Sequence, residues 1–174
     1  MMMLGVDFSA FSVLVSTIMQ LSIVPVEVDS PHMEDVFCVA LNAYHEARGE
    51  DFNELLAVSQ VVMNRVDAHD YPDTACDVIT QGPTRPSWND PDVLVPRRHR
   101  CQFSWWCDGR SDKVHDASAW NDCIVAAYLV YIGAVSNQVG DATHYFAHEK
   151  VVPKWAASMQ VVTVFNGHTY LRRM

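Results

Sequence analysis

Val161 to Leu171 reads VVTVFNGHTYL, two β-branched and aromatic runs on either side of Asn166-Gly167. Asn-Gly is the pair best suited to the positive φ angles of a type I′ turn, so the stretch predicts a β-hairpin. His144-Tyr-Phe-Ala147 adds a candidate strand just upstream. Before it the apolar period is helical. A first helix is expected from about Pro31 to Arg48, with Ser30 as cap, Glu34 and Asp35 at its positive end, and Gly49 as its stop. Met33, Val36, Ala40, Leu41, Tyr44 and Ala47 form its apolar stripe. Asp51-Phe-Asn-Glu54 is a capping-box arrangement that opens a second helix through Leu55, Leu56, Ser59, Val62, Met63 and Val66. A short third helix follows Pro72-Asp73, and residues 82–101, rich in Pro and charge, predict a long loop. A long helix is expected from Asp116 to Val135, with Trp120, Cys123, Ile124, Ala127, Tyr128 and Tyr131 inward. Helices first and a small sheet last make an α+β, mainly helical single domain over residues 31–174, preceded by an apolar N-terminal segment, 1–30.

The chain has 174 residues, 49% hydrophobic and 19% charged, enough to bury a real core. Its formal net charge of −9 repels a phosphate backbone, which argues against general nucleic-acid binding. Six basic residues nevertheless cluster at Arg85, Arg97, Arg98, Arg100, Arg110 and Lys113, against Asp90, Asp92, Asp108 and Asp112. This segment is either a solvated mixed-charge loop or a cleft wall that attracts an anionic polymer. Phe8 to Val26 carries no charge, a length that matches a membrane span, but several Ser residues and Asp7 weaken that reading. An export signal or weak anchor, a docked amphipathic helix and an upstream start extension all fit. Export or transient membrane association is preferred.

Five cysteines leave at least one free thiol in any intramolecular pairing. Cys38 and Cys123 sit in helical apolar patterns and read as small core residues. Cys76, Cys101 and Cys107 flank the central loop, where a disulfide would pin it and would suit an exported protein.

Three segments carry candidate chemistry. Tyr44-His-Glu-Ala-Arg-Gly-Glu50 places Glu46 in the last turn of a helix, the negative end of its dipole. Burial in a cleft between Tyr44, a candidate substrate-binding residue, and nearby aromatics would disfavour its charged form further, as a general acid requires. Cys101-Gln-Phe-Ser-Trp-Trp-Cys-Asp-Gly109 offers Phe103, Trp105 and Trp106 as flat faces for sugar rings, or equally as core aromatics, with Gln102 and Ser104 as hydrogen-bonding groups. His144-Tyr-Phe-Ala-His148 offers Tyr145 as a wall or proton-network residue.

In this order, YHEARGE, LAVSQVVMNRV, YPDTACDVITQ, CQFSWWCDG, GDATHYFAH and NGHTYLR resemble the spore cortex-lytic, SleB-type cell wall hydrolases over roughly residues 34–173. The resemblance implies a lysozyme-like α+β catalytic domain that cleaves peptidoglycan glycan strands without metal or organic cofactor. It implies Glu46 as the catalytic acid and Gln102, Phe103, Ser104 and Tyr145 as residues lining the sugar cleft. A free-standing domain of this kind, expected to be an exported, periplasmic or wall-associated monomer, looks like a phage lysin or a periplasmic wall hydrolase. The resemblance favours a lytic transglycosylase with a single acid/base. A hydrolytic muramidase would need a second carboxylate, for which Glu50, Asp108 and Glu149 are candidates. Two other classes compete. A zinc hydrolase is suggested by His45-Glu46 and by His144 and His148, although Gly49 stands where HExxH needs its second His. In a non-catalytic glycan-binding module the aromatics would bind and Glu46 would only accept hydrogen bonds.

Overall fold

The computed structural model describes residues 30–174; the N-terminal apolar segment lies outside the described residues. Glu34 to Met174 forms one compact unit. Helix α1 spans Ser30–Ala47, α2 Phe52–Val66, α3 Ala75–Thr80 and α4 Ala117–Tyr131. Strands β1 (Thr84–Pro86) and β2 (Leu94–Pro96) form a small antiparallel pair. Strands β3 (His144–Ala147), β4 (Met159–Phe165) and β5 (His168–Arg173) form an antiparallel sheet in the order β3-β5-β4. The α+β class expected from the sequence is the fold observed.

Helix α2 is the centre of the molecule. Its Leu55, Leu56, Ala57, Val58, Val61 and Val62 are all buried, so it is covered on nearly every side rather than along one stripe. It packs on α3, α4 and the sheet, and Ala57 and Val61 share a core with Val139, Ala142 and Tyr170. Its start departs from the expected capping box. The Asp51 carboxylate accepts from the Glu54 amide at 3.0 Å, but the Glu54 side chain turns inward and bonds to Tyr170 instead of returning to the cap. One half of the box forms, and the other is given up for a buried contact.

Two predicted boundaries change for identifiable reasons. Helix α4 begins after its Asp116 cap and stops at Tyr131, four residues short of Val135. Gly133 adopts φ 67°, its amide bonds to Val130 at 3.0 Å, and the Ala134 amide bonds to Leu129 at 2.9 Å. That pattern is a Schellman stop, which only a residue tolerant of left-handed backbone completes cheaply. Within the predicted 82–101 loop, β1 and β2 pair Thr84 with Pro96 and Pro86 with Leu94. Three-residue strands ending in proline carry too little β pattern to be seen beforehand. The C-terminal hairpin forms as expected, with Asn166 at φ 48° and Gly167 at φ 80°.

Cysteine pairing corrects the sequence reading at Cys38. It is bonded to Cys76, and Cys101 is bonded to Cys107, leaving Cys123 free and buried. A helical apolar position and a disulfide position are not exclusive, because the partner approaches from α3 across the helix face.

Candidate active site

Glu46 lies in the last turn of α1, before Gly49, whose φ of 93° releases the chain toward α2. Its side chain enters a cleft of about 350 Å³. Arg65 of α2 forms the floor, Gln102, Phe103 and Ser104 one wall, and His144 and Tyr145 of β3 with Trp155 and Met159 the other. The Cys101–Cys107 disulfide closes the loop that carries the first wall. The structure thus brings Glu46 together with Gln102, Phe103, Ser104 and Tyr145. A larger, more open groove of about 710 Å³ is lined by Asn64, Tyr71 and Arg172, and its carboxylates Asp67, Asp70 and Asp141 are all exposed.

Tyr44 is not part of the cleft. It is buried, and its hydroxyl accepts from the amides of His115 and Asp116 at 3.1 and 3.0 Å, tying α1 to the start of α4. Trp105 is likewise structural. Its ring stacks on His45 with centroids 4.5 Å apart, and its indole N–H donates to Asn42 at 3.0 Å. Trp106 is half-buried and does not line the cleft. Of the Phe, Tyr and Trp side chains that line the cleft, Phe103 is almost fully buried, Tyr145 half-buried and Trp155 41% exposed.

Electrostatics suit a proton donor. Burial raises the pKa of Glu46, while the Tyr145 hydroxyl, then His168 and Arg65, pull it partly back. The Tyr145 hydroxyl is buried beside the Glu46 carboxyl and meets no partner at full hydrogen-bond geometry. Burial and the adjoining Glu46 keep that phenol protonated. Arg65 is 4% exposed, donates to the Thr143 carbonyl at 2.7 Å and lies over Phe103, 4.8 Å from the ring centroid. One guanidinium nitrogen has no partner, so a buried cation faces the carboxyl with donor capacity to spare. Burial, then Arg65 and Arg173, lowers the His144 pKa to about 4, leaving a neutral imidazole in the wall. Among the described residues no cluster of three or more His, Cys, Asp or Glu is placed to hold a metal ion.

Sequence reading gives no role to Arg65, Trp155 or Met159, and it offers His144 only as a zinc ligand, not as a wall of this cleft. Arg65 had a signal: it follows Val58, Val61 and Val62 at helical spacing, so a guanidinium sits on an apolar stripe.

A mainly helical α+β domain with a half-buried carboxyl, its pKa raised by burial, in a groove of polar and aromatic walls has the make-up of an acid–base enzyme site. Residues 49–171 match the cell wall hydrolase family, and the chain belongs to that family, an enzyme acting on peptidoglycan. Glu46 lies just before the matched region, so its place in the site rests on the cleft itself. The fold is similar to the catalytic domain of the germination-specific lytic transglycosylase SleB from Bacillus anthracis (21% identity, TM-score 0.58, covering 86% of this chain and 100% of that one). It is also similar to the catalytic domain of the Bacillus cereus SleB protein (21% identity, TM-score 0.55, covering 84% and 94%). No curated protein matches the chain.

Proposed function

We propose that this enzyme is a lytic transglycosylase that cleaves between N-acetylmuramic acid and N-acetylglucosamine, with Glu46 as its single acid and base. One observation carries the reading: among the described residues that line the cleft, Glu46 is the one carboxylate. Glu50 and Glu149 are exposed, and neither they nor Asp108 borders the cleft, so among the described residues no second carboxylate is at hand to activate water.

Glu46, protonated, gives its proton to the glycosidic oxygen as the bond to C1 breaks. The resulting carboxylate, now beside Arg65 and the Tyr145 hydroxyl, takes the proton of the muramoyl 6-hydroxyl, whose oxygen closes on C1 as a 1,6-anhydro ring. Arg65 and Tyr145 favour the ionised carboxyl, and burial favours the neutral one, so both forms stay accessible during the cycle. Gln102 and Ser104, exposed at the rim, hydrogen-bond sugar hydroxyl and acetamido groups, and Trp155 supplies a face for a ring. The chain needs no cofactor, acts as a monomer, and works in an exported, wall-facing setting that suits its two disulfides. Among the described residues no helix is long and apolar enough to cross a membrane. Transient membrane association through the N-terminal segment belongs to this reading, and residues 1–28 take no part in catalysis.

Glu46→Gln tests this directly. It preserves shape and should leave folding and glycan binding intact while turnover falls by at least about 10²–10⁴-fold, the usual share of one general acid–base role. Mass spectrometry of the unmodified enzyme's products should show anhydromuramoyl ends, about 18 Da lighter than hydrolysed ends because no water is added. Reducing muramoyl ends would establish hydrolysis instead. An active Glu46→Gln would overturn the site.

A further inference from the structure

Behind the cleft lies a buried acidic residue that the proposed chemistry does not use. Glu54, in the first turn of α2, is completely buried. Its Oε1 accepts from the Tyr170 hydroxyl and lies 2.9 Å from His168 Nδ1, while Oε2 has no partner. The His168 separation is that of an ion pair, although the angle departs from that of a good hydrogen bond. The pairing register explains why these groups meet. On β5, His168 and Tyr170 point to one face, and β3 sets Tyr145 directly opposite Tyr170. The Tyr145 ring lies 5.9 Å from that of His168 and 6.0 Å from that of Tyr170. Tyr145 is in turn the residue whose hydroxyl adjoins Glu46.

We propose that Glu54 is a positioning residue for glycan cleavage: by holding His168 as an imidazolium behind Tyr145, it sets the charge that Glu46 faces. This rests on the reading of Glu46 as the acid and base. A buried carboxylate is costly unless paired, and His168 is the cation within reach of Glu54. Contact with Glu54 raises the pKa of His168 against the effect of burial, and Glu50 adds to the rise. The other charged and titratable groups around the pair are Glu46 on α1, Arg65 on α2, Tyr145 on β3, Tyr170 on β5, and Asp51 beside Tyr170. The imidazolium favours the Glu46 carboxylate, as does Arg65. Losing the His168 charge therefore leaves Glu46 holding its proton to higher pH.

Glu54→Gln suits the test because the amide carbonyl can replace Oε1 for Tyr170, and the NH₂ can occupy the place of the unpartnered Oε2. The rate of glycan cleavage is measured against pH for the unmodified chain, Glu54→Gln, His168→Gln and the double variant. His168 is also titrated by NMR in the first two, a reading independent of activity. The expected result is a lower His168 pKa in Glu54→Gln and an alkaline limb displaced upward by the same amount in both single variants and the double. An unmoved limb, with any rate loss tracking melting temperature alone, would reduce Glu54 to a structural role and overturn the proposal. If Glu54→Gln does not fold, His168→Gln with an unmoved limb does the same. Failure of the underlying reading shows separately, as activity in Glu46→Gln.

Discussion

The two disulfides should separate stability from activity. Cys38–Cys76 closes a loop of 38 residues and Cys101–Cys107 one of 6. In the chain-entropy account, the longer cross-link stabilises by roughly 4 kcal/mol and the shorter by roughly 2 kcal/mol. Their places in the fold invert that order for function. The long link joins α1 to α3 about two turns before Glu46, and Tyr44 also fastens α1 through its hydroxyl. The short link encloses Gln102, Phe103 and Ser104, a whole wall of the cleft. Cys38→Ser/Cys76→Ser should therefore lower the urea midpoint by about 2 M, taking a slope of about 2 kcal/mol per M. Below its midpoint it should retain most of its turnover per folded molecule. Cys101→Ser/Cys107→Ser should lose about half as much stability and far more activity, chiefly through a raised KM. Urea titration followed by tryptophan fluorescence gives the first quantity, and initial rates on soluble glycan give the second. A greater stability loss from the short loop, or an unchanged KM once it is opened, would refute the reasoning.

Replacing Arg97, Arg98 and Arg100 together by Gln should slow lysis of intact walls most at low salt, since exposed charges act over about 10 Å at 0.1 M and less as salt rises. Equal loss at every ionic strength would mean that the side-chain bonds from Arg97 to the Thr84 carbonyl and from Arg98 to the Asp108 carbonyl matter more than their charge. A third expectation concerns acid. The His144 pKa falls to about 4 in the folded chain, so between its unfolded value near 6.5 and about 4 the unfolded state binds a proton that the folded state refuses. Stability from this residue is present above pH 6.5 and is lost as pH falls to about 4. Urea midpoints from pH 7 to 4 should decline less steeply in His144→Gln than in the unmodified chain; parallel curves would contradict this.

What the sequence could show depended on how local each determinant was. The Asn166-Gly167 turn, the Gly49 stop and the Asp51 cap act within a few residues, and each lies where the sequence puts it. Glu46 was singled out by its helix end, although burial outweighs every other influence on its carboxyl. Apart from the early stop of α4 at Gly133 and the short β1–β2 pair, the departures are long-range. Cys38 has its partner on another helix, and Tyr44 spends its hydroxyl on amides more than 70 positions away. Trp105 is covered by His45 instead of open to sugar. Glu54 and Arg65 lie on the buried surface of α2, where a sequence pattern shows only charged residues out of place. Their partners, Tyr170 and the Thr143 carbonyl, come from the far end of the chain.

The odd fifth cysteine has a consequence for how durable the pairing is once made. Cys123 is fully buried in α4, and its thiol pKa is pushed up to about 12 by burial first and Asp122 second. Thiol–disulfide exchange proceeds through the thiolate, and at neutral pH the folded molecule exposes essentially none. The native protein therefore carries its own potential scrambling agent in an inert form. Only on unfolding do the sulfur's ordinary acidity and access return together, so reshuffling is confined to chains that have already lost the cleft.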